Sequence, residues 1–292
     1  MGNPSTSVVV PMYNAGKVIG DLLKSLASQD FLGSWEVIVA DNGSRDNSRD
    51  RVRDWQNQLP DLRLIDASEC RGPSHARNRG AQEARGELLA YIDADDVALP
   101  QWVRAITATL QDYDLATGPF DLDTLNQPSA VVWYAPDRPA DRPPTRFDFM
   151  PAVMGGNFGI RTRVLERLGG WSEDYFYAED VELSWRAQLN GSQIGFNPDA
   201  VVMFRMRSDL KSLARQQYYR AYHGHHLTRD FAQYGLKPPS DKSRMLEGVK
   251  GLIVNLPLLP FSLERRGLWV KNAAHALGWS RRKLEARLGA KR

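Results

Sequence analysis

Asp93-Ala94-Asp95-Asp96 crowds three carboxylates directly behind the apolar run Leu88-Leu89-Ala90. Carboxylates so close repel one another unless a cation or a donor-rich ligand compensates them. A hard divalent ion that also takes phosphate oxygens is the natural compensator. An isolated D-x-D is more simply a solvated acidic turn ahead of a helix, so this stretch alone carries no assignment. A second acidic pair, Glu179-Asp180, opens a segment whose Val181, Trp185 and Leu189 fall on one helical face. Carboxylates in a first helical turn are favoured by the helix dipole whatever else they do. Met154-Gly155-Gly156-Asn157 permits close backbone approach. Cys70 is the single cysteine, which excludes an internal disulfide framework and, without a matching histidine context, says nothing about thiol chemistry.

The elements that must hold these groups alternate. Ser7-Val8-Val9-Val10-Pro11 reads as a strand ended by proline, with Asn14 capping a helix through Val18, Ile19, Leu22, Leu23 and Leu26. Trp35–Ala40 repeats the strand and ends at Asp41-Asn42-Gly43-Ser44, and Leu62–Ile65 is a third. Ser74 is expected to cap a helix through Arg85, leading into the acidic-ended fourth strand. After it, Pro100 suits a first helical turn, and 115–120 and 199–204 read as further strands. The Pro-rich stretch 127–151 reads as one long irregular loop, Thr162 and Ser208 as helix caps. Strands alternating with helices predict a doubly wound, mostly parallel α/β sheet, whose ligands gather at the carboxyl ends of the strands.

At 292 residues, 42% hydrophobic and 25% charged, the chain suits a globular protein with a full core. From Ser262 onward nine Lys/Arg face two Glu, a balance of +7 in a chain whose formal net charge is +3. A basic tail on a slightly acidic body points to an anionic surface as the tail's partner, not to a nucleic acid. Leu252, Ile253, Val254, Leu256, Leu258, Leu259 and Phe261, followed by Trp269 and Trp279 among basic residues, suit a membrane headgroup boundary. Packing of the same surface on the rest of the chain, or on a second subunit, is the alternative. No secretory signal and no spanning run is read, and the expected place is the cytoplasm, with peripheral attachment to the membrane's cytoplasmic face.

Seven pieces then occur in a recognisable order: Val10-Pro11-Met12-Tyr13-Asn14, Val39-Ala40-Asp41-Asn42-Gly43-Ser44, Ala76-Arg77-Asn78-Arg79-Gly80, Ile92-Asp93-Ala94-Asp95-Asp96, Gly155-Gly156-Asn157-Phe158, Leu168-Gly169-Gly170-Trp171 and Glu179–Arg186. In that order the chain resembles the family 2 glycosyltransferases, inverting enzymes of the GT-A nucleotide-sugar fold, from about Ser7 to about Leu227. The resemblance implies a Rossmann-like nucleotide-sugar-binding half, 1–120, and an acceptor-binding half, 121–240; beyond it the basic and apolar residues of 241–292 read as an amphipathic helical tail. It implies a nucleotide-sugar donor bound by Pro11, Tyr13, Asp41, Arg77 and Asp93, and a divalent metal, Mg²⁺ or Mn²⁺, held by Asp95 with Asp93. It implies Asp180 as the base that deprotonates a glycan or lipid-linked acceptor, which Glu179, Trp171 and Gly156 help to seat. Trp171 is then either an apolar platform for a sugar or core filling.

Two departures matter. Phe204-Arg205-Met206-Arg207 stands where the family often has a histidine metal ligand, so Arg205 or Arg207 is expected to share in neutralising the diphosphate. Gln217-Tyr218-Tyr219-Arg220-Ala221 has alanine where the processive members carry tryptophan, so transfer of a single sugar is expected. Nucleotidyl transfer, with Met12–Lys17 as a poor phosphate loop, and an inactive nucleotide- or glycan-binding relative are the competing readings.

Overall fold

The computed structural model describes residues 4–134, 141–237, 250, 252–254, 256 and 262–287. The first half alternates strand and helix: β1 (Thr6–Met12), α1 (Ile19–Ala27), β2 (Trp35–Asp41), α2 (Ser48–Arg53), β3 (Leu62–Asp66), α3 (Pro73–Glu83), β4 (Leu88–Tyr91), β5 (Val97–Ala98) and α4 (Trp102–Asp112). Next come β6 (Leu115–Thr117), β7 (Phe120–Asp121), α5 (Pro128–Tyr134), β8 (Thr145–Arg146), β9 (Met150–Pro151), β10 (Phe158–Arg161), α6 (Thr162–Arg167) and α7 (Glu179–Leu189). The rest holds β11 (Ile194–Phe196), β12 (Val202–Met203), α8 (Leu210–His223), α9 (His225–Asp230) and α10 (Leu263–Arg287).

A seven-stranded sheet runs in the order β11-β6-β10-β4-β1-β2-β3. β10 is antiparallel to both its neighbours, β4 and β6, while the other pairings are parallel. The GT-A fold expected from the sequence is the one observed, a mixed, mostly parallel sheet. β1 and β2 are buried almost throughout, as strands covered on both faces must be. Strand alternation divides β1 between two cores. Val8, Val10 and Met12 join Ile19, Leu22, Leu23 and Leu26 of α1 and Val103, Ile106 and Leu110 of α4. Val9 faces the other side with Leu89, Tyr91, Phe158, Ile160 and Leu183.

Burial is not purely apolar. Glu36 on β2 has no exposed surface, and it accepts from Ser7 Oγ (2.7 Å), Arg85 N (2.8 Å), Arg85 Nη2 (2.7 Å) and Arg63 Nη2 (2.8 Å). Burial alone would raise its pKa, but these donors outweigh it and hold the carboxyl below the usual glutamate range. It therefore stabilises the fold above the ordinary glutamate pKa and less as pH falls into the acid range.

The structure corrects several local readings. Pro11 lies inside β1, beyond the last β1–β4 pair, Val9↔Tyr91, where its missing N–H costs no bond to β4. Asn14 does not cap α1; it sits in the left-handed region (φ 49°) and its Oδ1 accepts from Arg45 N. α3 starts at Pro73 after Gly72, so Ser74 is inside the first turn, and Thr162 likewise lies inside α6. The first turn of α4 begins after Pro100, and the 115–120 reading divides at Gly118-Pro119 into β6 and β7, which join different sheets. Asp209, whose carboxylate accepts from Ser212 N, caps α8 in place of Ser208. The Pro-rich stretch is not one loop, since it contains α5, β8 and β9.

The chain forms two compact units, Met1–Asp121 with Asp137–Arg146 and Met150–Phe204, and Leu122–Pro136 with Phe147–Phe149 and Arg205–Arg292. Within the second, α10 packs along α8 and α5, with Lys271 Nζ donating to Trp133 O at 2.7 Å. Among the described residues no helix is long and apolar enough to cross a membrane.

Candidate active site

The loops after β1 and β2 are zipped together by side chains. The successive amides of Asn14, Ala15 and Gly16 donate to Ser44 Oγ (2.9 Å), Ser48 Oγ (2.8 Å) and Asp46 Oδ2 (3.0 Å). Three amides committed in this way do not form a phosphate cradle, which removes the structural basis for the phosphate-loop reading of Met12–Lys17. The zip leaves Tyr13 half exposed at the end of β1 and buries Asp41 at the end of β2. Asp41 accepts from Ser44 N at 3.2 Å and from Arg49 Nε at 2.5 Å. Asn42, one residue on, ties the following loop by donating to Ala67 O and Cys70 O and accepting from Gly72 N.

β4 ends the apolar run and delivers Asp93 and Asp95, both half-buried, and Asp96, which has no exposed surface. Opposite lies the Gly155-Gly156-Asn157 segment. Asn157 fixes it, donating through Nδ2 to Ala200 O (2.8 Å) and accepting at Oδ1 from Trp102 Nε1 (2.8 Å). A methyl placed on Gly156 would lie 2.9 Å from Asp96 Oδ2 and 3.0 Å from Asp93 Oδ2. Only a bare backbone fits where those oxygens converge. The two oxygens belong to Asp93 and Asp96, hard donors of the kind that Mg²⁺ or Mn²⁺ takes. Phe204, which stands where the family often has a histidine ligand, lays its ring edge-on against Phe120, centroids 5.5 Å apart.

Arg77 joins this end of the sheet to α7. From α3 its Nη2 donates to Asp93 Oδ1 (2.9 Å) and its Nη1 to Glu179 Oε1 (2.7 Å), with the side chain 3% exposed. Burial opposes the guanidinium charge, but Asp93, Glu179 and Asp180 outweigh it and raise its pKa further above the ordinary arginine value. Glu179 shows the converse balance. Burial first, and then repulsion from Asp180, push its carboxyl above the usual range against the pull of Arg77.

Ala178, in the left-handed region at φ 63°, turns the chain into α7 so that Glu179 and Asp180 start the helix. Asp180 Oδ2 accepts from Gly155 N (3.0 Å) and its Oδ1 from Val181 N (2.8 Å). Ser184, one turn on, donates to Asp180 O and accepts from Val153 N, so α7 and the glycine segment are tied at two points. Asp93, Glu179, Asp180 and Gly156 thus gather around one guanidinium and one stretch of backbone.

Trp171 does not present an open face there. It is 2% exposed, edge-on to Tyr91 and Phe158 with Arg77 4.7 Å over its ring, so it supports Arg77 from within the core. Asn78, which the sequence reading gave no role, fixes that tryptophan by accepting from Trp171 N (2.8 Å) and donating to Trp171 O (2.9 Å). Its place in the Ala76-Arg77-Asn78-Arg79-Gly80 piece was a signal for it.

The profile of the family described as Glycosyl transferase family 2 matches residues 7–169. Glycosyltransferase AglE of Haloferax volcanii is 27% identical over 207 residues, 68% of this chain and 66% of that protein. Validoxylamine A glucosyltransferase of Streptomyces hygroscopicus subsp. jinggangensis is 28% identical over 220 residues, 64% of this chain and 52% of its own length. The match to the uncharacterized glycosyltransferase YibD of Escherichia coli, 31% identical, covers 47% of this chain and 38% of YibD. The chain thus spans from about a third to two thirds of the length of these relatives. Among solved structures, mannosyltransferase PcManGT from Pyrobaculum calidifontis, in complex with GDP-Man and Mn²⁺, superposes with a TM-score of 0.65 at 19% identity, covering 98% of this chain and 88% of the other. S. aureus TarS 1-349 gives 0.56 at 20% identity, over 98% and 92%. These two likenesses are of fold, and the profile match carries the kinship: the chain belongs to glycosyl transferase family 2.

Proposed function

We propose that this chain transfers a single sugar, with inversion, from a nucleoside-diphosphate sugar to a hydroxyl of a glycan or lipid-linked acceptor. The observation that carries this is Arg77, which holds a carboxylate at the donor end of β4 and a carboxylate at the head of α7 in one ion-paired network. Inversion needs a base on the face of the sugar opposite the leaving group, and Asp180 is the group at α7 suited to it. Its Oδ2 is oriented by Gly155 N, so the carboxylate is preorganised to accept the acceptor's hydroxyl proton. Asp93 and Asp95 would hold the divalent ion, whose contribution is Lewis-acid stabilisation of the departing diphosphate. Tyr13, Pro11 and Asp41 bound the base-binding end, and Glu179 and Gly156 border the acceptor.

Complexes of similarly folded proteins with UDP, UDP-GlcNAc and GDP-Man make uridine and guanosine sugars the first donors to try. With the right donor and acceptor, nucleoside diphosphate is released, and proton NMR of the product shows the anomeric configuration opposite to the donor's. Retained configuration rejects inversion. Pyrophosphate released from a nucleoside triphosphate and a sugar phosphate would mark a nucleotidyltransferase instead.

The C-terminal segment is proposed to meet an anionic membrane face, where a lipid-linked acceptor would be presented. Ile253, Val254 and Leu256 are exposed, and Leu263, Leu277 and Leu284 at multiples of seven residues form an exposed apolar stripe along α10. The basic residues supply the complementary charge, each worth about 1 kcal/mol near such a surface. Lys271 and Arg281 are bonded inside their own unit, to Trp133 O and to Glu285 and Tyr218, and Ala274 is buried, so part of the expected lipid face packs on protein. Leu258, Leu259 and Phe261 lie outside the described residues. The chain is expected to sediment with phosphatidylserine vesicles, less in high salt and less with Leu277→Glu and Leu284→Glu together. Equal sedimentation of both proteins rejects the membrane reading.

A further inference from the structure

We propose that Cys70, His75 and Glu173 form a site for a borderline-soft divalent transition ion of the zinc class, separate from the hard-ion site at Asp93 and Asp95. One ligand atom from each of the three lies within 4.8 Å of the others. Thiolate, imidazole and carboxylate are the ligand types that four-coordinate Zn²⁺ selects, and three protein ligands with one open position is a familiar stoichiometry for it. In a tetrahedral shell such atoms stand roughly 3.5 Å apart, so closure requires about 1 Å of side-chain rotation. Cys70 and Glu173 are exposed enough to make it.

The supports of the three residues are already in place. Asn42 Nδ2 holds the carbonyl of Cys70 at 2.8 Å, and Asn78 Nδ2 donates to Glu173 Oε1 at 3.1 Å. His75 is 14% exposed at the first turn of α3, with Nδ1 3.1 Å from Glu173 Oε1 and Nε2 3.3 Å from Glu69 Oε2. When one ring nitrogen takes a metal, the other can therefore donate to a carboxylate, the outer-shell arrangement usual for metal-bound histidine. The ion takes the place of the Cys70 thiol proton, which is released to solvent, so affinity weakens as the pH is lowered. The ion would tie the loop ahead of α3 to the segment 171–178 that leads into α7.

The test is titration of the intact chain with Co²⁺ in place of Zn²⁺. The expected result is a thiolate-to-cobalt charge-transfer band that saturates at one ion per chain, is displaced by Zn²⁺ and persists in Asp95→Asn. Cys70→Ser should abolish the band, and Glu173→Gln and His75→Ala should each weaken Co²⁺ binding by about tenfold or more. Because Glu173 is on the surface, its glutamine variant tests the site even if replacement of His75 perturbs α3. Absence of the band, or unchanged affinity in Glu173→Gln, would show an isolated surface thiol and overturn the proposal.

Discussion

Asp180→Asn is expected to lower turnover by about 10² to 10⁴, the range for losing a general base, while leaving the affinity for a nucleoside diphosphate nearly unchanged. The amide keeps the shape of the carboxylate and an oxygen to accept from Gly155 N, so the glycine segment stays in place. What is lost is the capacity to take a proton. The split between turnover and binding is therefore the discriminating result, read from steady-state kinetics beside calorimetry with the diphosphate. Full turnover would move the base to Glu179, the adjacent carboxylate, whose pKa is raised first by burial and then by repulsion from Asp180. Donor binding without turnover in the native chain, with any acceptor, would favour an inactive binding relative.

Arg77→Met should cost about 3–5 kcal/mol of stability at neutral pH by urea unfolding. Removing one partner of a buried ion pair leaves uncompensated buried charge. Here the guanidinium serves Asp93 and Glu179 together, so two carboxylates lose their cation at once. The pH dependence follows from the direction of the Glu179 shift. A carboxyl whose folded pKa lies above its unfolded value favours folding when protonated and opposes it when ionised. Without Arg77 that shift grows, so the deficit should be largest near pH 8, where Glu179 is ionised, and shrink toward pH 5, where it is protonated. An equal deficit at both pH values would mean that Arg77 acts through its stacking on Trp171 and not through charge. Arg77→Lys should fall between, because an ammonium keeps the charge but lacks the fork that reaches both carboxylates.

Much of the fold was legible in the sequence because its signals are local. Continuous apolar runs such as Val8–Val10 and Val37–Ala40 announce strands covered on both faces, and the run Leu88–Ala90 placed the acidic cluster at a strand end without any tertiary information. The ordered motifs were enough to indicate the family. Caps were less legible, because several polar residues in a row can each accept from a helix start. Asp209 was chosen over Ser208 by its reach to Ser212 N, and the side chain of Asn14 was drawn away to Arg45 N. The reversed direction of β10 had no signature either, since a short buried strand reads the same in both directions.

What the sequence by itself determined was which residue types stand at the ends of which strands and helices, because periodicity and chain breaks act over a few residues. What only the tertiary structure decided was who meets whom. Arg77 reaches Glu179 across 102 positions, Asn78 fixes Trp171 across 93, and the sulfur of Cys70 finds His75 and Glu173. Trp171 could have been a platform or core filling; the packing of α3 over the sheet closed it between Tyr91, Phe158 and the Arg77 guanidinium. Pairings of that kind depend on how the crossovers stack helices on the sheet, and no spacing within the chain encodes them.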